Sequence, residues 1–175
     1  MKNIASFIHN IRSRFEHSSP DAQALQSLGK ELLRLSAQLD TGAYRFATPG
    51  EELMYALCED PDGGPSLYLV SDGEGVDTPP HDHKTWVVIV GLSGCEYHEF
   101  YEPVQSTGKS VCRAREYSVG AGDVLILSAT DIHGIDSAKG QHPTYHLHLY
   151  GRSQKALPAF SSRCYTMQDE DNLSG

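Results

Sequence analysis

The chain has 175 residues, 39% hydrophobic and 21% charged, a composition ordinary for one globular domain long enough to bury a core. A formal net charge of −9 argues against nucleic acid or an anionic membrane as partner, since both need a basic footprint. No stretch is long and apolar enough to span a bilayer, and the N-terminus lacks the apolar run of an export signal, so a cytoplasmic protein is expected. The four cysteines, Cys58, Cys95, Cys112 and Cys164, are widely spread and form no CxxC. Free thiols are therefore expected.

Ile4, Phe7, Ile8, Ile11 and Phe15 recur at helical spacing. Ser19-Pro20-Asp21 then reads as a helix start, with Ser19 as cap and Pro20 in the first turn. Ala22, Leu25, Leu28, Leu32, Leu35 and Leu39 continue it as one apolar stripe, ending at Thr41-Gly42. Beyond Gly42 the pattern changes to short apolar runs between turns. Tyr44-Arg45-Phe46 alternates. Runs follow at 53–57, 67–70, 86–90, 96–101, 111–119, 124–127 and 145–150. Many short strands with evenly spaced turns indicate an all-β sandwich or barrel. One domain over 1–175 is expected: a helical extension at 1–41, a β-barrel at 42–168 and a frayed polar tail at 169–175.

Chemistry concentrates in Pro79-Pro80-His81-Asp82-His83 and the apolar run Val87-Val88-Ile89-Val90-Gly91 behind it. A His-x-His pair on an extended strand puts both imidazoles on one face, which is half of a transition-metal site. His133, His146 and His148 are candidates for the other half. His146, His148 and Tyr150 lie at i, i+2 and i+4 and share a strand face. Asp82 alternates away from that face toward a loop, Trp86 reads as a core anchor, His98 as exposed, and Glu96 and Glu99 as charged strand faces. A lone histidine is more often a packed or surface residue than a ligand; the matched spacing of several favours the metal.

Gly75-x5-His81-x-His83 ending at Gly94 resembles the first cupin motif, and Gly120 to Leu127 followed by His133 resembles the second. The resemblance implies a mainly β double-stranded β-helix (cupin) barrel carrying the two N-terminal α-helices. Within the superfamily the chain looks most like the thiol dioxygenases of cysteine and 3-mercaptopropionate, over about Leu67 to Gly151. That resemblance implies Fe(II) held by His81, His83 and His133, with Tyr150 and His148 as catalytic residues beside it. The substrates would be a small thiol and O2, and the protein a monomer or homodimer.

The chain departs from the pattern in several places. The glutamate most cupins place after the second histidine falls at Val87 or Val88. His146 stands where the family has serine, and is a candidate substrate-binding residue. The arginine that holds the carboxylate of cysteine falls at or near Tyr55. Arg163 is the candidate for holding a substrate carboxylate, with Arg152 as second choice. The cysteine of the family's cysteine–tyrosine crosslink falls at Val88, with Cys95 too far along, so no crosslinked cofactor is expected. Two other readings stay open: a three-histidine cupin dioxygenase of another substrate such as a diketone, or a non-catalytic metal-binding cupin.

Overall fold

A computed structural model describes residues 2–104 and 108–168; the tail read as frayed lies outside the described residues. The chain opens with α1 (Lys2–Arg14) and α2 (Ala22–Ser36). The cap of α2 is Asp21, whose side chain accepts from the Ala24 amide at 2.8 Å. A carboxylate satisfies a free N-terminal amide and faces the positive end of the helix dipole, so Asp21 takes the place expected of Ser19. The helix also stops short of Thr41, where Thr41–Ala43 makes a separate 3-10 turn capped by Asp40.

The predicted stripe is the packing face. Leu25, Leu28 and Leu32 join Ile8 and Ile11 of α1 against Leu67, Leu69, Val88, Val90, Leu147 and Leu149. Leu28 is fully buried. Leu28→Ala is expected to destabilise the fold by about 2–5 kcal/mol, the usual cost of a buried leucine cavity. Urea unfolding would check it; a loss under about 1 kcal/mol would mean that the helices pack loosely on the sheet.

The rest is β, as expected: β1 (Glu52–Glu59), β2 (Ser66–Asp72), β3 (Thr78–His81), β4 (Val87–Pro103), β5 (Ser110–Gly120), β6 (Val124–Leu127), β7 (Ile132–Ile135), β8 (Gln141–Tyr150) and β9 (Thr166–Met167). A short helix, α3 (Phe160–Arg163), precedes β9. The two runs read at 86–90 and 96–101 merge into β4, which is the spine of a curled sheet. Its first half pairs with β8 and β6, its second half with β5 and β7. Tyr44-Arg45-Phe46, read as alternating, lies outside every strand. No helix among the described residues is long and apolar enough to cross a membrane.

Inside the curl lie Tyr68, Val70, Val87, Ile89, Phe100, Leu125, Leu127 and Tyr150. On β4 the inward residues are first odd-numbered and then even-numbered, because the register with β8 slips between Gly91 and Cys95. Gly94 sits in this bulge at φ +71, where a Cβ would come within 2.4 Å of the Gln141 carbonyl oxygen. Only glycine fits there. The slip turns Glu96 and His98 inward with Phe100.

Candidate metal centre

Strands β3 and β7 pair antiparallel, with His81 directly opposite His133. His83 follows just past the end of β3, and Lys84, at φ +54, helps turn the chain back toward β4. One ring nitrogen from each of His81, His83 and His133 lies within 4.8 Å of the other two. All three rings are buried, at 5%, 7% and 2% exposure.

The donor set fits a divalent transition metal. His81 Nδ1 lies 2.9 Å from the Pro79 carbonyl, which places the proton on Nδ1 and leaves Nε2 a free lone pair. His83 Nε2 and His133 Nε2 are 3.0 Å apart. Two imidazole nitrogens held at right angles, each about 2.1 Å from an ion, would be separated by about 3.0 Å. Burial lowers the His81 pKa to about 4 and that of His83 to about 2, and holds His133 well below its ordinary value. Neutral imidazole is the form that binds metal. Val87 and Val88 are both buried and apolar, so no carboxylate stands where most cupins supply one.

His98 corrects the sequence reading, being fully buried rather than exposed, and Glu96, read as a charged strand face, is fully buried beside it. His98 Nδ1 lies 3.0 Å from His133 Nδ1 with the rings nearly parallel, at 22°. Its Nε2 lies 2.8 Å from Glu96 Oε2, with the carboxylate off the N–H axis. Glu99 is also buried, but on the opposite side of the strand, where it pairs with Arg113 and Lys139. Asp82 does turn to a loop, accepting from Lys84 and from Tyr165 Oη, each at 2.6 Å.

Asp72 and Glu96 form a buried acid pair. Burial, reinforced by Glu96, pushes the Asp72 carboxyl up to about 9. Burial also acts on Glu96, but His146, His98 and His148 outweigh it and hold that carboxyl well below its usual range. The charge therefore sits on Glu96 and the proton on Asp72. A raised carboxyl pKa means the folded state holds a proton that the unfolded chain has released, so stability falls as pH rises between the two pKa values. One such proton costs at most about 1.4 kcal/mol per pH unit. Between pH 7 and 9 wild type is expected to lose stability that Asp72→Asn retains. Urea unfolding at pH 7, 8 and 9 would show it; parallel curves would exclude Asp72 as the protonated partner.

A cavity of about 330 Å³ opens onto the three histidines and is also lined by His148, Tyr150 and Arg163. His148 Nδ1 is 3.3 Å from Tyr150 Oη, and the Tyr150 ring stands edge-on to His83 at 5.3 Å. Burial lowers His148 to about 4 and raises the Tyr150 phenol, so both are neutral near pH 7. His146 shares their strand face but does not line the cavity. It lies a step deeper, opposite Gly91, with Nε2 2.9 Å from the Val119 carbonyl.

Arg163 is 5% exposed. Its Nε and Nη1 donate to the carbonyls of Pro158 and Asp82 at 3.0 and 2.8 Å, and among the described residues no carboxylate pairs with it. Backbone bonds between Asp82 and Arg163 and between Tyr165 and Pro80 strap this segment to the histidine loop. Arg152 is exposed and lines a different cleft. Tyr55, at the position of the cysteine-binding arginine, donates to the Arg45 carbonyl away from the cavity. All four cysteines are free.

No protein-family model matches the chain. Among solved structures, the protein TT1209 from Thermus thermophilus is 15% identical, with a TM-score of 0.50 over 66% of this chain and 96% of that one. A cupin superfamily protein from Desulfitobacterium hafniense is 16% identical, with a TM-score of 0.48 over 66% of this chain and 90% of that one. The polyketide cyclase RemF from Streptomyces resistomycificus is 21% identical, with a TM-score of 0.49 over 73% of this chain and 80% of that one. Likeness at this depth concerns the fold alone, and the fold itself is mainly β, a curled sheet carrying two N-terminal helices, as expected from the sequence.

Proposed function

We propose that the protein is a mononuclear non-haem iron thiol dioxygenase acting in the cytoplasm on a small thiol carboxylate, 3-mercaptopropionate or cysteine. The reaction is R–SH + O2 → R–SO2H: the sulfur gains both oxygen atoms, and O2 is the oxidant. The observation that carries this reading is Arg163, a buried guanidinium with no carboxylate partner among the described residues, in the wall of the cavity that holds three neutral imidazoles. A buried cation without a counter-charge is costly unless a ligand supplies one. A substrate carboxylate does so, through charge-assisted hydrogen bonds.

Imidazole ligands suit iron, zinc, copper and nickel alike; Fe(II) enters through the family resemblance. When bound, Fe(II) would supply open coordination positions and the redox capacity to join sulfur and O2. The chain's own residues do the rest. His81, His83 and His133 bring no negative charge to the metal, which favours a thiolate as further ligand. Arg163 fixes the other end of the substrate. His148 Nδ1 meets the Tyr150 oxygen at 3.3 Å and orients that hydroxyl beside the three histidines. Val70, Ile135 and Phe160 supply the apolar part of the cavity wall.

The test is oxygen uptake by protein loaded anaerobically with Fe(II), across 3-mercaptopropionate, cysteine, cysteamine and acetylacetone. Uptake with carboxylate thiols and sulfinate as product is expected. Uptake with acetylacetone alone would select carbon–carbon cleavage, and binding without any uptake would leave a metal-binding cupin.

A further inference from the structure

The sequence places no carboxylate on the metal, yet a carboxylate stands behind one ligand, two side chains back and off the N–H axis of the ring between them. His133 meets His98 Nδ1 to Nδ1 at 3.0 Å, and the far nitrogen of His98 meets Glu96 at 2.8 Å. All three are buried, at 2%, 0% and 0% exposure. If His133 gives Nε2 to a metal, its Nδ1 must carry the proton. His98 Nδ1 must then accept it, which moves the His98 proton to Nε2, facing Glu96. Each tautomer fixes the next, and the series ends on a negative charge.

We infer that His98 and Glu96 are positioning residues for the metal: His98 locks the tautomer and orientation of His133, and Glu96 makes that ligand a stronger donor. This rests on the reading that His81, His83 and His133 hold a metal. The carboxylate missing from the ligand set is thereby set behind it, where it strengthens the field at the ion without occupying a coordination position. Loss of such outer partners of ligating histidines typically weakens metal binding by about 10–100-fold.

The experiment is metal affinity, measured with Co(II) and, anaerobically, with Fe(II), each in competition with a chelator. The variants are H98N, H98L and E96Q. The Asn oxygen can stand where His98 Nδ1 stands and accept from His133; leucine fills similar space and cannot. Expected is a loss of about 10–100-fold for H98L, and smaller losses for H98N and for E96Q, which keeps the side-chain shape. A role in packing alone predicts the reverse order, since an apolar leucine suits a buried site better than an unpaired amide. H98L and E96Q with wild-type affinity would overturn the inference and leave the metal reading standing. Wild type that binds neither ion would overturn both. Should H98L fail to fold, E96Q and H98N decide.

Discussion

Iron-loaded protein carrying Arg163→Leu is expected to lose about 10–150-fold in kcat/KM for 3-mercaptopropionate. A hydrogen bond to a charged group is worth about 1.5–3 kcal/mol, and each 1.4 kcal/mol is about tenfold. The loss should depend on substrate. Cysteamine has no carboxylate, and its slower oxidation should change little. Arg163→Lys should fall between, keeping the charge but not the planar fork. Leucine also removes the donors to the Pro158 and Asp82 carbonyls, at about 1–3 kcal/mol for each acceptor left unpaired. That is why the comparison is made within one variant: an equal fall for both thiols would mean a displaced histidine loop and would reject Arg163 as the carboxylate partner.

His83→Ala should abolish stoichiometric metal binding, a larger effect than the loss of any outer partner, and reduce oxygen uptake to background. The same change should cost the metal-free protein little. His83 Nδ1 is buried without a hydrogen-bond partner, and its Nε2 faces another ring nitrogen, so the ring forgoes hydrogen bonds it would make in water. Metal at 100 times its Kd adds about 2.7 kcal/mol to a folded state that alone binds it. Wild type should therefore gain thermal stability on adding metal, and His83→Ala should not. A metal-dependent rise in Tm in the variant would remove His83 from the ligand set.

Periodicity and turn chemistry carried much of the fold in the sequence. The leucine stripe of α2 and the run Val124 to Leu127 are where alternation and helical spacing put them. His81, His83 and His133 were legible because their spacing sits inside two motifs. Strands β3 and β7 were not: β3 is four residues long and holds Pro79 and Pro80, and proline reads as a strand breaker. His98 and Glu96 were hidden for a different reason. Simple alternation from Ile89 carries the inward face through Tyr97 and Glu99, and the bulge at Gly94 moves it by one residue. Gly91 and Gly94 look like turn punctuation in the sequence; in the fold they sit within an unbroken strand. The side chains behind His133 follow from that single slip, which local pattern alone does not reveal. Arg163 was found by position along the chain; its burial and lack of a carboxylate partner are products of tertiary packing.

The slip at Gly94 works like a reading frame in side chains. Deleting one residue between Gly91 and Cys95 would leave every downstream residue of β4 in the protein but exchange its inner and outer sets, bringing Tyr97 and Glu99 in and sending Glu96 and His98 out. Relatives that differ by one residue in this loop-free stretch would thus differ in what lies behind the third histidine, with no substitution at any ligand. In this fold an insertion or deletion of one codon can retune the surroundings of a three-histidine site in a single evolutionary step.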